Sequence, residues 1–260
     1  MGVISFFPDV TTIFFCALIM GLLILVLPHL VKRLPWIKPT KDDTDFVIRM
    51  QGTLFTLVGL LLAFTLVQTQ NYQRQANSSI TSEASVLNRM DRLLARYGSE
   101  QAMAVRPQLL AYTQAIVTDE WPAMMAGETN EATRHAWGRV SRGVLALSPT
   151  NTREEALFGE LLRSLNDVVE ARDERLSTVP LQLPYTYWIA ILFAVCMLLF
   201  VSSTLTPSRF RATNLVAQMA ALGAVLGFVL IQDQQFTGEI SKGPEPIIHI
   251  IDVMKLRSNG

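Results

Sequence analysis

Hydrophobic and polar positions are not mixed evenly along this chain. Charge disappears from four windows and crowds between them. The windows run from Val10 to Val31, Met50 to Tyr72, Tyr185 to Leu205 and Ala212 to Gln232. Each is close to the ~20 residues that a helix needs to cross a hydrocarbon core about 30 Å thick. Four such runs predict four transmembrane helices in two pairs, rather than the buried core helices of a soluble domain. The first run has no basic residue before it and no small-residue cleavage site, and Lys32-Arg33 follows it. It is therefore expected to stay as a span and not to be removed as a signal peptide.

Between the pairs the pattern changes to amphipathic helix. No Pro or Gly occurs from Leu60 to Tyr97. The second span is expected to run on as one helix, a rod of roughly 55 Å at 1.5 Å per residue. Past the bilayer its apolar positions include Tyr72, Ala76, Ile80, Leu87, Met90, Leu94 and Tyr97, a helical spacing that defines one face. Gly98 ends it. A second helix is expected from about Glu100 to Trp121, stopping before Pro122, with a late start or a kink at Pro107. A third runs from about Asn130 to Leu147. The fourth opens on Thr152 and Glu155, spaced as a capping box, and keeps the helical period through Leu157, Leu161, Leu165, Val168, Arg172 and Leu176. No strand alternation is visible. The fold class is all-α: four transmembrane helices in two pairs, with an extramembrane helical bundle inserted between spans two and three. In residues, 1–72 is a first hairpin, 73–184 the helical domain, 185–232 a second hairpin and 233–260 a polar C-terminal tail. The Glu/Arg-rich faces of the bundle are expected to be solvated.

Charge placement sets a direction. No Lys or Arg precedes the first span, whereas Lys32, Arg33, Lys38, Lys41 and Arg49 follow it in one short loop. The loop between spans three and four carries Arg209 and Arg211. The positive-inside rule makes both loops cytoplasmic. Both termini and residues 73–184 then lie outside, which is the periplasm for a bacterial inner-membrane protein; the reverse orientation is the alternative. Trp36, Tyr72, Tyr185, Tyr187 and Trp188 sit near span ends, as interfacial aromatic residues do.

Composition excludes several classes. Half of the 260 residues are hydrophobic and 17% are charged, with Lys plus Arg equal to Asp plus Glu at 22 each. This balance gives no footprint for nucleic acid. No zinc spacing and no phosphate-binding loop is present, so no cofactor and no metal is expected. Cys16 and Cys196 lie inside apolar windows, which argues against a disulfide. The segment QDQQFTGEISKGPEP at 232–246 places Asp233 where span four ends, with Phe236, Gly238, Glu239, Pro244 and Glu245 beyond it. A catalytic carboxylate pair there would need a pocket and a nucleophile or water site, and neither is legible. Asp233 is expected to cap or pair at the helix end. Glu239 and Pro-Glu-Pro are expected to shape the exit loop and pack it on the helical insert. His249, alone among apolar residues, reads as packed. With no catalytic constellation, the chain is not expected to be an enzyme.

Span two carries a different signal. Thr56, Gly59, Ala63 and Gln70 recur at helical spacing on an otherwise Leu/Phe-rich segment. Small residues let transmembrane helices approach closely, and polar ones tend to face protein or water. The stripe fits helix packing within one subunit, or a pore-facing stripe in a homo-oligomer. Span four repeats the small theme in Ala217, Ala221, Ala224 and Gly227. No span has a charge at its centre, which argues against a proton relay but leaves a channel open.

Several stretches together resemble the bacterial bestrophin-like family of four-span membrane proteins. They are GTLFTLVGLLLAF in span two, SEASVLNRMDRL after it, LLAYTQAIVTDEWPAMMAG, LNDVVEARDERL before span three, and FTGEISKGPEP after span four. The resemblance covers nearly the whole chain and is most specific in EWPAMMAG and the closing FTGEI with PEP. It implies kinship with bestrophin anion channels, pentamers with the pore along the second span and the insert and termini in the cytoplasm, opposite to the charge count. In those channels an acid and Asn-Pro-Phe-Gly follow span four. Here Asp233, Gln234, Gln235 and Phe236 stand there, without the Pro and with Gly238 one place late. The expected function is an oligomeric ion channel that passes anions, with Thr56, Gly59, Ala63 and Gln70 lining the pore and Arg74 at its mouth. The rival is an envelope interaction or sensor protein whose helical bundle binds a protein partner. The lipid bilayer is a partner in either case.

Overall fold

The computed structural model describes residues 9–31, 41–128, 130–178, 183–205, 208–233 and 243–258. Among these the chain is all-α, and no residue is in a strand. The helices are α1 (Asp9–Val31), α2 (Lys41–Tyr97), α3 (Glu100–Ala115), a π-helical turn (Ile116–Glu120), α4 (Trp121–Met125), α5 (Glu131–Leu145), α6 (Thr152–Thr178), α7 (Tyr185–Ser203), α8 (Arg209–Gln232) and α9 (Glu245–Ser258). Four of them, α1, α2, α7 and α8, are long and apolar enough to cross a membrane. The chain divides into two compact units, Met1–Tyr72 with Gln182–Ser241 and Gln73–Leu181 with Lys242–Gly260. Helix α2 contributes to both.

The first unit is built for lipid. Its core joins Met20 and Ile24 of α1, Val58 and Leu62 of α2, Ile191, Val195 and Leu198 of α7, and Met219 and Leu222 of α8. Its outside is apolar as well: Phe14, Leu192, Phe193 and Phe64 are largely exposed. In water such a surface would aggregate, whereas in a bilayer it meets hydrocarbon of its own polarity. With no hydrophobic drive between helices in lipid, close packing must hold them. Helix α8 supplies it with two glycines one turn apart. A Cβ on Gly223 would stand 2.5 Å from the Cys16 carbonyl oxygen, and one on Gly227 would stand 3.0 Å from the Ile13 Cα. The contact stripe on α8 is therefore Gly223 and Gly227. Ala217 and Ala221, which the sequence grouped with Gly227, are exposed on another side. A Gln51 Nε2 to Gln218 Oε1 hydrogen bond of 2.7 Å joins α2 to α8.

The second unit packs the end of α2 with α3, α4, α5, α6 and α9. Ala76, Ile80, Leu87, Met90, Leu94 and Tyr97 are buried, as their spacing predicts. Gly98 ends α2 with φ of 78°, a left-handed value that favours glycine, and its N–H donates to the Leu94 oxygen at 3.3 Å. The Ser99 hydroxyl then caps α3 by accepting from the Ala102 N–H at 3.1 Å.

Four boundaries differ from the sequence reading, each for a local reason. Helix α2 starts at Lys41, so part of the expected basic loop is its first turns. Helix α3 starts at Glu100 and carries Pro107 inside it, so the start is not late. The chain does not stop before Pro122 but passes through the π-turn into α4. The Trp121 N–H donates to the Ile116 oxygen, and Pro122 has no N–H to continue an α ladder. The α6 cap sits one residue earlier than Thr152: Asn151 Oδ1 accepts from the Glu154 N–H at 3.0 Å, and Glu154 accepts from the Thr150 N–H at 2.7 Å. Asparagine outranks threonine as a cap, which decides the register.

Substituting Gly223→Ala is expected to destabilise the α1–α8 pair by about 1–3 kcal/mol, since backbone must move to admit the methyl. Gly59→Ala, where a Cβ meets nothing within 4 Å, is expected to be tolerated. Thermal unfolding of the two detergent-solubilised variants checks the contrast.

Candidate functional site

Helix α2 places the span-two residues on the side away from the core. Thr56, Gly59 and Ala63 are exposed, Gln70 is half-buried and Arg74 is exposed. The Thr56 hydroxyl donates to the Gly52 oxygen at 3.0 Å. Gly59 has open space around its missing Cβ, so packing within one subunit does not account for it.

The charges of α2 are sorted by face. From Arg49 to Tyr97 it carries two acids, Glu83 and Asp91, and both are buried. Its exposed charged residues in that stretch are Arg49, Arg74, Arg89, Arg92 and Arg96. An ordinary solvated helix mixes both signs on its outer face. Within this stretch the outward charges are all arginine, with Arg89 paired to Asp167 of α6, whereas the first turns of α2 show the exposed acids Asp43 and Asp45.

The two inward acids anchor two networks in the second unit. Arg175 of α6 is fully buried, and its Nε and Nη2 donate to the Glu83 carboxylate, the Nη2 contact being 3.3 Å. Nη2 also donates to Glu120 of the π-turn, and Nη1 to the Met124 Sδ at 3.3 Å. Arg172 donates from Nε to Glu120 Oε1 at 3.0 Å. The Arg175 guanidinium lies 5.8 Å from the Trp121 ring centroid, a cation–π distance. Two carboxylates thus face two guanidinium groups in a buried, neutral cluster. Burial pushes the Glu83 carboxyl above its ordinary value, and Arg175 opposes that rise. Burial also works against the charge on Arg175, but Glu83 and Glu120 outweigh it and hold the guanidinium above its ordinary value. The Tyr112 ring packs on Trp137 with centroids 5.0 Å apart. Its hydroxyl is buried without a partner among the described residues, and burial, then Glu83, push it above its ordinary value.

In the second network Arg106 of α3 donates from Nε to Asp91 Oδ1 at 2.8 Å, and Arg257 of α9 donates to Asp91 Oδ2. Arg257 Nη2 also reaches Asn88 Oδ1 at 3.1 Å. The segment read as a polar tail therefore contains a packed helix: Ile247, Ile250, Ile251 and Met254 of α9 are buried. Its apolar residues recur at three and four, a signal the polar stretch before it concealed. His249 is exposed rather than packed.

The exit corner is partly described. Asp233 is buried, as the cap residue of α8, and accepts from the Leu183 N–H at 2.8 Å and the Trp188 Nε1–H at 3.3 Å. It ties the end of α8 to the start of α7. Pro244 supplies the carbonyl that accepts from the Ile247 and Ile248 N–H groups at 2.9 Å each, and Glu245 opens α9 with an exposed side chain. Phe236, Gly238 and Glu239 lie outside the described residues.

The sequence reading missed the charge cluster. It treated the Glu/Arg-rich faces as solvated, whereas Glu83, Glu120 and Arg175 are buried. The signal was present: Glu83 falls three after Ile80 and four before Leu87, inside the apolar stripe. Arg175 falls four after the buried Ala171 and seven after Val168. The stretches SEASVLNRMDRL, LLAYTQAIVTDEWPAMMAG and LNDVVEARDERL meet in this one cluster through Glu83, Glu120 and Arg175. The cluster offers no nucleophile, and no group of three or more metal-ligating residues occurs among the described residues.

Removing Arg175 strands the buried Glu83 carboxylate and leaves Glu120 with Arg172 alone, so Arg175→Met is expected to cost roughly 3–5 kcal/mol, partly recovered in the double variant with Glu83→Gln. In Arg175→Met nothing from that guanidinium opposes burial at Glu83, so its folded-state value rises further above the ordinary 4.5. A group raised in the folded state contributes stability below its unfolded value and loses it as pH rises through the folded value. The deficit against the wild type should therefore be smaller at about pH 5 than at about pH 8. Thermal unfolding at the two pH values measures it.

No curated protein matches the sequence. A crystal structure described as that of a membrane protein shares the fold, with a TM-score of 0.68, 11% identity, and coverage of 95% of this chain and 98% of that one. At that identity the likeness carries architecture alone. The Bestrophin-like domain family matches residues 13–247, a stretch that holds the spans, the charge cluster and the start of α9. The chain is a multi-pass membrane protein and belongs to the Bestrophin-like domain family.

Proposed function

We propose that the protein is a homo-oligomeric anion channel in which α2 lines a shared pore. The observation that carries this reading is the sorting of charge on α2. Its outer face from Arg49 to Tyr97 shows arginine and no carboxylate, because Glu83 and Asp91 are turned inward and paired. Rings of arginine favour anions, and a carboxylate on the same face would admit cations. Thr56, Gly59, Ala63 and Gln70 are the proposed pore-lining residues, with Arg74 at the mouth. The exposed Gly59 and Ala63 leave room for copies to approach around an axis.

In a bacterial cell the proposed site is the inner membrane. The charge count favours the helical insert and both termini outside, with the basic loops in the cytoplasm.

A closed ring of about five copies is expected when the mass of the detergent complex is corrected for bound detergent. Reconstituted in liposomes, that complex should pass anions. Ala63→Trp should cut flux by tenfold or more, on the order of a plugged pore, while leaving the oligomer mass unchanged. A monomer without flux would instead favour an envelope protein that binds a partner through its helical bundle.

A further inference from the structure

The α1–α8 pair of the first unit carries an open groove of about 320 Å³. Phe14, Leu18 and Leu25 of α1 and Val216 and Ala220 of α8 line it, and the buried Gly21 lines it without a side chain. Every lining side chain is hydrocarbon. From Phe14 to Leu25 the groove follows α1 for about 16 Å, close to half of a hydrocarbon core about 30 Å thick. That is the depth of one leaflet, and so the reach of one acyl chain.

The two ends of the groove differ in charge. Gly227 of α8 approaches Ile13, Gly223 approaches Cys16, and Gly21 approaches Val216, so the two helices run antiparallel. Carried one turn beyond Leu25, that register brings α1 to His29 and α8 to its first residues. Arg209 stands seven residues before Val216 and eleven before Ala220. His29 stands four residues after Leu25 and eleven after Leu18. Both therefore continue the helix stripes that line the groove, and both are exposed. No Asp or Glu occurs from Val10 to Val31 or from Arg209 to Gln232. The acids Asp43 and Asp45 belong to α2, which meets α8 at Gln218. Gln218 is nine residues, about two and a half turns, after Arg209 and so faces the opposite side of α8. At the Phe14 end α8 offers no cation, since none occurs from Ala212 to Gln232.

We infer that this groove binds one anionic phospholipid, with an acyl chain between α1 and α8 and the phosphate at Arg209 and His29. The inference does not depend on the pore reading. A hydrocarbon lining takes any acyl chain, so the charge at one end must choose the headgroup. An anionic headgroup gains the attraction of a basic residue near the lipid surface, whereas a zwitterionic one brings its own cation to the arginine. The His29 Nδ1–H donates to the Leu25 carbonyl oxygen at 3.1 Å, which leaves Nε2 as the atom that a protonated ring would turn to a phosphate oxygen. Charge counting favours the cytoplasmic leaflet for this end, and anionic lipid gives that leaflet its negative potential.

Native mass spectrometry of the full chain tests the site. The protein is released from micelles that contain phosphatidylglycerol or phosphatidylcholine of matched chains, and the retained lipid is counted. Phosphatidylglycerol should stay at about one per chain and about fivefold more tightly than phosphatidylcholine, the worth of one basic contact. Arg209→Gln, an exposed change, should remove that preference and leave the choline lipid bound as before. Ala220→Phe fills the groove and should reduce the retention of both lipids. Arg163→Gln, on the helical bundle, should change neither. Unfolding temperature and oligomer mass confirm that the variants fold. Equal retention of the two lipids by the wild type, or a preference that survives Arg209→Gln, overturns the anionic site. A complex that falls apart in Ala220→Phe with lipid retention unchanged puts a second copy in the groove and overturns it as well.

Discussion

Arg175 is a full charge with no exposure to water, and the extramembrane bundle is arranged around the two carboxylates that make this tolerable. Glu83 comes from α2, Glu120 from the π-turn, and Arg172 shares Glu120 from one turn back along α6. An isolated buried ion would cost several kcal/mol, so each partner that fails to reach its place lowers stability by a comparable amount. The contribution is to register more than to net stability. An apolar core would let α6 slide against α2 at small cost, whereas a bidentate guanidinium between two carboxylates accepts one alignment. The π-turn belongs to the same requirement. It carries Glu120 inward beside Trp121 and Met124, two residues before Pro122, which has no backbone donor.

A second consequence falls on the opposite side of α2. Each acid that turns inward to meet an arginine is an acid removed from the outer face. Glu83 pairs with Arg175, and Asp91 pairs with Arg106 and Arg257, which leaves Arg74, Arg92 and Arg96 to set the sign outside. Core pairing and surface potential are thus two faces of one helix. The arrangement connects a stability feature to the proposed preference for anions.

The first unit obeys a different physics. Lipid offers no hydrophobic reward for helix contact, so α1 and α8 hold by close approach at Gly223 and Gly227. Polar links join the helices at specific points among the described residues. Gln51 meets Gln218 between α2 and α8, and Asp233 closes the end of α8 onto the Leu183 N–H and the Trp188 indole. Asp233 answers a question that its position raised. It is the acceptor that satisfies the Leu183 amide and the Trp188 indole.

The four spans, the long unbroken α2 and the apolar stripe from Ala76 to Tyr97 were legible in the sequence, because bilayer thickness and helical period act locally and leave a pattern in consecutive residues. The same is true of Gly98 as a stop and of Asn130 as a start. The buried cluster was not legible, because a Glu inside an apolar stripe looks like a polar interruption until its arginine arrives 92 positions later. Helix α9 was hidden by the Gly- and Pro-rich stretch before it, and its Arg257 meets an aspartate of α2 166 positions earlier. The sequence by itself determined the four segments that suit lipid and most of the helical run between them. The tertiary structure alone decided which charges are paired inside and which remain outside, since Coulomb partners are chosen by distance in space and not by distance along the chain.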